Sequence, residues 1–476
     1  MKVSLASTSE YSKKAAESIS DLSPNAADVL ITSAITSMVT DLGVVAPTSS
    51  GLLTYYDGVS DSSHTIDGYF VAPKNFNGED KEQHKITMTY GGYVETCKGA
   101  NTFAVPGIYK ILQFLYENYA TIPLKNLIEY PIKISNEGFK LAQPTKDYFK
   151  HSLEPMFMWH EYSSKVLGEL KNNLDDGVVR LEKLSDTLIQ FSNEGFQDFY
   201  YGDIANSLIE TIKNEGGHVV KDDLENYKII KDSKFNLNYR DLNIVGHAGP
   251  SIGSLMVLKY LEVLNLNTDN KFKLLEDLYN NRKNNYEFFG DRAEFVKKEI
   301  KNIFSSPSTI HIGTSDNRNN HFSLTFSSGY GSGVLCKNTG MYLNNSLGEI
   351  ELNPQGFLGD TKGDRLISNM SPIIISNKSG IFTIGSPGAD RISSAIAQVL
   401  SNYISNKNWN QSIKMPRYHV NQDGNVRAEL GLNLPSVSAT YTEEFDMYFG
   451  GVCVTGLEDE LLAYGDPRRS NVHWIN

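Results

Sequence analysis

The feature that most constrains the fold is a change of periodicity along the chain. Between about Pro106 and Gly217 apolar residues recur at helical spacing: Ile108, Ile111, Leu112 and Leu115, then Leu184, Leu188 and Ile189, then Ile204, Leu208 and Ile212. Gly195 and Gly216-Gly217 stand where helix C-caps belong. From Ile310 onward the texture becomes short strand-like runs: Phe322-Ser323-Leu324-Thr325-Phe326, Ile373-Ile374-Ile375 and Ile381-Phe382-Thr383-Ile384. Asn377-Lys378-Ser379-Gly380, between the last two, is a turn signal and predicts a β-hairpin. Nearer the start, Ala26, Ala27, Val29, Leu30, Ile31, Ala34, Ile35 and Met38 are apolar around most of a helix, as a helix inside a layered fold must be. Pro47 ends it, and Ser49-Ser50-Gly51 turns the chain towards the strand-like Leu52-Leu53-Thr54-Tyr55-Tyr56. A helix-rich first half and a strand-rich second half predict an α+β protein.

The 476 residues suffice for one large layered unit or two to three average domains. A formal charge of -12 and a pI of about 5.4 exclude the basic footprint of a nucleic-acid binder. Cys97, Cys336 and Cys453 are odd in number and far apart, with no CxxC pair, so they read as buried reduced thiols. No HExxH run or clustered His/Cys spacing suggests a metal, and no cofactor is implied. Met1 to Glu10 lacks the apolar core of a secretory signal, and no apolar run approaches 18 residues; the expected location is cytoplasmic, with no membrane partner. The Asn-rich stretch from Asn267 to Lys301 reads as a solvated helix pair or as a linker.

An ordered series of short motifs spans nearly the whole chain. Asn25-Ala26-Ala27-Asp28, Gly43-Val44-Val45-Ala46-Pro47, Ala104-Val105-Pro106-Gly107, Asp223-Leu224-Glu225-Asn226-Tyr227 and Gly249-Pro250-Ser251-Ile252-Gly253 come first. Thr309-Ile310-His311, Tyr330-Gly331-Ser332-Gly333, Leu343-Asn344-Asn345, Met370-Ser371-Pro372, Gly385-Ser386-Pro387-Gly388 and Gly465-Asp466-Pro467-Arg468-Arg469 follow. In that order they resemble the γ-glutamyltranspeptidase family, self-processing hydrolases and acyl transferases whose nucleophile is the first residue of the small subunit. The resemblance implies a four-layer αββα sandwich and cleavage between Ser308 and Thr309. Residues 1–308 and 309–476 would then be large and small subunits of a heterodimer, forming one layered unit that acts on a small-molecule amide.

A threonine hydroxyl is a poor nucleophile unless a base stands beside it. Cleavage would free the α-amine of Thr309, and an unperturbed α-amine titrates at about 7.7–8.0, well placed for a general base. One residue then supplies both nucleophile and base. Thr325 and Ser327 alternate with Leu324 and Phe326, so both hydroxyls leave one face of a strand. The resemblance gives that strand the role of steadying the amine. It also gives the backbone amides of Gly388 and Ala389 the role of oxyanion donors, for which alanine serves if its φ is negative. His311 is expected to be structural rather than a base.

The clamp on the acyl group departs from the family pattern. Tyr69 stands where the family carries the arginine that holds the substrate α-carboxylate, and a phenol cannot replace a charged, bidentate guanidinium. In the serine pair that shares this task, Ser368 remains and Asn369 replaces the second. Glu349 takes the place of the acid that binds the substrate α-amine, while Gly329 and Ser346 occupy neighbouring amine-binding positions. Lys74 is the nearest replacement cation in sequence, and Arg365 is expected to be structural. The sequence thus predicts an autoprocessed threonine amidohydrolase or acyltransferase for γ-glutamyl or related small acyl amides. An acylase of non-glutamyl specificity, or a catalytically silent relative serving as a binding or scaffold protein, remain alternatives.

Overall fold

The Asn25 side chain accepts from the Asp28 amide and Asp28 reciprocates at the Asn25 amide, a capping box that starts the helix Ala26–Thr40. All fifteen residues of that helix are buried. It lies in one outer layer of a sandwich, which the computed structural model describes for residues 1–75, 84–88, 94–249, 251–266, 270–280, 309–349, 363–421, 424–434 and 437–476. The helix covers a seven-stranded sheet in the order Val472–Ile475, Val3–Ser7, Ile310–Asp316, His321–Ser327, Ser50–Asp57, Ser62–Gly68, Ile230–Lys231. A second sheet of six strands runs Leu461–Tyr464, Cys453–Leu457, Ile381–Gly385, Ile373–Ser376, Leu242–His247, Lys234–Tyr239. The helices Gly253–Leu264 and Arg391–Asn406 pack on each other and cover its outer face. The order is helix, sheet, sheet, helix, as expected for the αββα sandwich.

The larger sheet interleaves strands from before and after residue 309, so neither portion forms that sheet alone. The predicted hairpin is present: Ile373–Ser376 pairs antiparallel with Ile381–Gly385, and Asn377 Oδ1 accepts from the Ser379 and Gly380 amides to form the turn. Among the described residues no helix is long and apolar enough to cross a membrane, and no His/Cys/Asp/Glu cluster could hold a metal.

Two apolar cores lie between each sheet and its helices. Ile312, Leu324 and Phe326 belong to the first; Ile375, Phe382 and Ile384 belong to the second. The residues that alternate with them meet between the sheets, and there the packing is polar. Ser315 Oγ bonds Thr455 Oγ1 at 2.9 Å, Thr383 Oγ1 bonds Thr455 Oγ1 at 2.8 Å, and Ser323 Oγ donates to the Ile384 carbonyl at 3.2 Å. Small side chains allow close approach: a Cβ on Gly313 would collide with Thr383 Oγ1. Hydroxyls survive burial because each has a partner.

Burial also dictates a pH response. His247, His311 and His321 are buried, and desolvation lowers each to about 3, so the folded protein holds them neutral. In the unfolded chain they accept protons near pH 6.5. Their contribution is complete above about pH 6.5 and is lost as pH falls towards 3, by up to ~1.4 kcal/mol per pH unit for each. Asp41 works in the opposite sense. Burial raises it to about 7 despite the Ser9 and Thr40 hydroxyls that donate to it, so stability is lost as pH rises from about 4 to 7. Three histidines outweigh one carboxyl. Calorimetry should show the thermal midpoint dropping between about pH 6.5 and 5; a flat or rising midpoint over that interval would refute the neutral histidines.

Candidate active site

Ile310–Asp316 and His321–Ser327 pair antiparallel, with Ile310 opposite Phe326 and His311 opposite Thr325. One residue further along the same register, Thr309 faces Ser327. Both are buried, each 6% exposed, and both adjoin the inter-sheet seam at one end. On the other side the N-terminal strand is extended by Thr8, whose amide donates to the His311 carbonyl at 3.0 Å. The Thr8 Oγ1 accepts from the His311 amide at 2.9 Å. The backbone behind Thr309 is therefore clamped from both neighbours, and nothing local in the sequence marks Thr8 for that task. Ser308 lies outside the described residues.

The hydroxyl strand divides its work. Thr325 Oγ1 bonds His311 Nδ1 at 2.9 Å, one step behind Thr309, while Ser327 Oγ accepts from the Gly329 amide at 2.9 Å. The His311 ring lies against Gly385, where any Cβ would collide with it. Held neutral by burial and fixed to Thr325, His311 braces the strand end and is no general base at neutral pH.

Gly385 ends its strand, and Ser386 to Asp390 carry the chain into the helix Arg391–Asn406. Ser386 Oγ accepts from the Gly451 amide at 2.9 Å, which anchors the loop. Gly388 has φ 125 and Ala389 φ 55. The condition set for alanine, a negative φ, is not met: the turn from strand to helix is made in the left-handed region. The geometry still yields two donors. Neither the Gly388 nor the Ala389 amide donates to any described residue, and both precede a helix N-terminus, where backbone N–H groups and the macrodipole favour an anion. Beyond the loop, Asp390 pairs with Arg391 at 2.7 Å and lies 3.3 Å from His419, fixing the helix start. A left-handed alanine costs about 1 kcal/mol against glycine. Ala389→Gly should therefore raise stability by ~1 kcal/mol with activity kept, in a denaturation curve and a turnover assay run together; a loss of stability would mean that the methyl packing outweighs the strain.

A third group of residues forms an apolar corner beside the hydroxyl strand. Tyr69, 2% exposed, packs with Leu52, Phe70, Ala72, Ala104, Leu347, Leu366 and Met370. The corner brings Tyr69 to the segments that carry Ser346 and Glu349 on one side and Ser368 and Asn369 on the other. Ser368 Oγ accepts from the Met370 amide at 3.1 Å, and Ser251 and Gly253 buttress that turn, Ser251 Oγ donating to the Met370 carbonyl at 2.6 Å. The Glu349 carboxylate stands over Gly329: a Cβ there would strike its Oε1 and the Asn345 Oδ1. The longer acid fits because position 329 has no side chain. Asn344 and Asn345 are staples. Asn344 donates to the Thr48 and Ala104 carbonyls, and Asn345 accepts from the Tyr330 amide at 2.6 Å.

The two candidate cations have partners of their own. Arg365 Nη1 donates to Asp67 Oδ1 at 3.2 Å and to the Tyr69 carbonyl and Tyr227 hydroxyl at 2.8 Å, and Nη2 donates to the Lys228 carbonyl. It holds the Tyr69 backbone from behind, the structural role expected of it. Lys74 does not turn to the site: its Nζ pairs with Asp222 at 2.9 Å on the surface and is 56% exposed.

Two facing sheets between two helical layers are the architecture of the N-terminal-nucleophile hydrolase fold. The chain belongs to the γ-glutamyltranspeptidase family, whose model matches residues 13–297 and 265–474. It is 24% identical to a glutathione hydrolase proenzyme of Arthroderma benhamiae over 68% of this chain and 65% of that protein. With the Bacillus subtilis strain 168 glutathione hydrolase proenzyme it shares 23% identity over 82% of this chain and 77% of the relative. The chain thus spans just under two thirds of the Arthroderma protein and about three quarters of the Bacillus one. In fold it superposes on a cephalosporin acylase from Bacillus halodurans with a TM-score of 0.76 at 18% identity, covering 100% of this chain and 95% of that one.

Proposed function

We propose that this protein cuts itself between Ser308 and Thr309 and then cleaves small acyl amides through an ester on Thr309. The supporting observation is the register that sets Thr309 opposite Ser327, next to the Gly385 loop with its two available amides. In the forward reaction the Thr309 Oγ attacks the acyl carbonyl while the α-amine takes its proton. The tetrahedral oxyanion is received by the Gly388 and Ala389 amides. The C–N bond breaks, the leaving amine takes the proton from the α-ammonium, and an ester remains. Water, or an acceptor amine, then attacks that ester with the same amine as base. Ser327 and Thr325 order the strand opposite the nucleophile. The two products of self-cleavage stay together because the larger sheet is built from both.

Acid-quenching the processed protein during turnover of a γ-glutamyl or butyryl p-nitroanilide should leave the acyl mass on the fragment that begins at Thr309. Peptide mapping that finds the acyl group on another residue would overturn the mechanism.

The acyl group is the open variable. Tyr69, whose side chain stands in an apolar corner where the family carries a guanidinium, with Arg365 committed to Asp67, Tyr227 and the Tyr69 carbonyl, favours an acylase of non-glutamyl specificity over a glutathione hydrolase.

A further inference from the structure

Behind the loop that carries Gly388 and Ala389 lies a buried polar cluster to which the reaction assigns no part: Asp390, Arg391, Ser394 and His419, each at most 9% exposed. Asp390 and Arg391 start the helix, and Ser394 stands one turn further in. His419 comes from the strand Tyr418–Val420, which Gln398 ties to the same helix by accepting from the Tyr418 amide at 3.1 Å and donating to its carbonyl at 2.8 Å. His419 spans the cluster: Nδ1 bonds Ser394 Oγ at 3.0 Å, and Nε2 lies 3.3 Å from Asp390 Oδ2. Asp390 Oδ1 pairs with Arg391 Nη1 at 2.7 Å, and Arg391 Nε donates to the Tyr448 carbonyl at 3.1 Å. Two residues on, a Cβ at Gly450 would strike Ser386 Oγ and the Pro387 carbonyl. The loop therefore lies between the helix start and residues 448–451, and Arg391 joins the two.

The connection to the reacting atoms is one peptide plane. The Gly388 carbonyl accepts from the Arg391 amide at 3.0 Å, and the Ala389 carbonyl from the Ile392 amide at 3.2 Å. A trans peptide points its N–H opposite its C=O. The bond that turns the Gly388 carbonyl into the helix therefore turns the Ala389 amide out of it. That orientation holds Ala389 at φ 55, which an alanine leaves when nothing restrains it. We infer that His419 is a positioning residue for the oxyanion loop: by bracing Asp390 from the neighbouring sheet, it fixes the helix start and keeps Ala389 left-handed, with its amide aimed at the developing oxyanion. The inference rests on the acyl-ester function proposed above. His419 touches no substrate, and its effect falls on the tetrahedral states of acylation and deacylation, so it belongs to kcat rather than KM.

The test uses the purified, processed protein with butyryl or γ-glutamyl p-nitroanilide, whichever the wild type turns over faster, well below each variant's thermal midpoint. His419→Asn keeps a polar group for Ser394 but is too short for Asp390. It should lower kcat ~10-fold with KM within ~2-fold, short of the ~10²–10³ lost when an oxyanion donor is removed outright. His419→Gln, whose amide extends to the position of Nε2, should keep kcat within ~2-fold of wild type. Adding Ala389→Gly to His419→Asn should recover most of the loss, because glycine takes the left-handed region without the brace. A role in packing alone would neither separate asparagine from glutamine at 419 nor respond to glycine at 389. Asp390→Asn, which removes the braced carboxylate, carries the same expectation as His419→Asn, so either soluble variant decides; insolubility of both overturns the inference by making the pair a requirement of folding. An unchanged kcat, a loss carried by KM, or a loss that glycine does not recover overturns this inference alone when acid quenching still finds the acyl mass on the fragment beginning at Thr309. Acyl mass on another residue, or turnover of neither anilide, overturns the acyl-ester function as well.

Discussion

Thr309→Ala should accumulate as a single uncut chain of 53.0 kDa and hydrolyse amide substrates no faster than background. The substitution removes the hydroxyl that attacks in both reactions. In the precursor it attacks the Ser308 carbonyl; in the mature protein it attacks the substrate. A loss of at least ~10³–10⁴ in kcat is expected, as when the nucleophile of a coupled catalytic unit is removed. Thr309→Ser keeps the hydroxyl and should retain slower versions of both activities. The fold should be unaffected, because the flanking backbone is held by Thr8 on one side and the Phe326 pairing on the other. An alanine variant that cleaves normally or retains substantial turnover would remove Thr309 from the mechanism.

The largest effect on stability is expected at Asp466, which holds the Val452 amide next to the Gly451 anchor of the Ser386 loop. Its carboxylate is fully buried and accepts from Arg417 Nη2 at 2.7 Å, Arg468 Nη1 at 3.2 Å and the Val452 amide at 2.7 Å. Arg468 also donates to Glu429, at 2.5 and 2.7 Å, and to the Ile413 and Met415 carbonyls, and Glu429 accepts from the Arg417 amide. This network joins the small sheet of Tyr418–Val420, Val426–Glu429 and Ala439–Thr442 to the strand Cys453–Leu457. Asp466→Ala would leave the buried Arg417 without its described carboxylate partner and take one acceptor from Arg468, at a cost of about 3–5 kcal/mol. Set against a total stability of about 5–15 kcal/mol, that is enough to unfold the protein or make it insoluble at growth temperature. A urea midpoint that yields a change below ~1 kcal/mol would show that the arginines re-partner without it.

The sequence exposed those parts of the fold whose signals are local. The apolar run from Ala26 to Met38, the Asn377 turn and the alternation in Phe322–Phe326 each rest on neighbours in the chain, and each became the element expected. Val3–Ser7 carried no such signal. It is short and fully buried on both faces, so it lacks the polar alternation of a half-exposed strand, yet it pairs with both Ile310–Asp316 and Val472–Ile475. The serines and threonines of the inter-sheet seam had the pattern of a solvated strand face, and only the second sheet reveals that they are buried. At the site, Thr325 and Ser327 lie on one strand as their alternation implied, and Thr309 immediately precedes the strand that pairs with it. The positive φ of Ala389 did not show, because a backbone angle imposed by a strand-to-helix turn has no signature in an alanine. The Asp466 network was visible only as a motif, Gly465-Asp466-Pro467-Arg468-Arg469, whose charges find Arg417 and Glu429 through tertiary contact.

The most direct test of the whole account is the intact mass of the wild-type protein under denaturing conditions, followed by sequencing of any new N-terminus. The account predicts two masses that sum to the chain plus one water, the smaller beginning Thr309-Ile310-His311 with a free α-amine. A single 53.0 kDa species in a preparation that turns over amides, or a cut that leaves any residue ahead of Thr309, would contradict it.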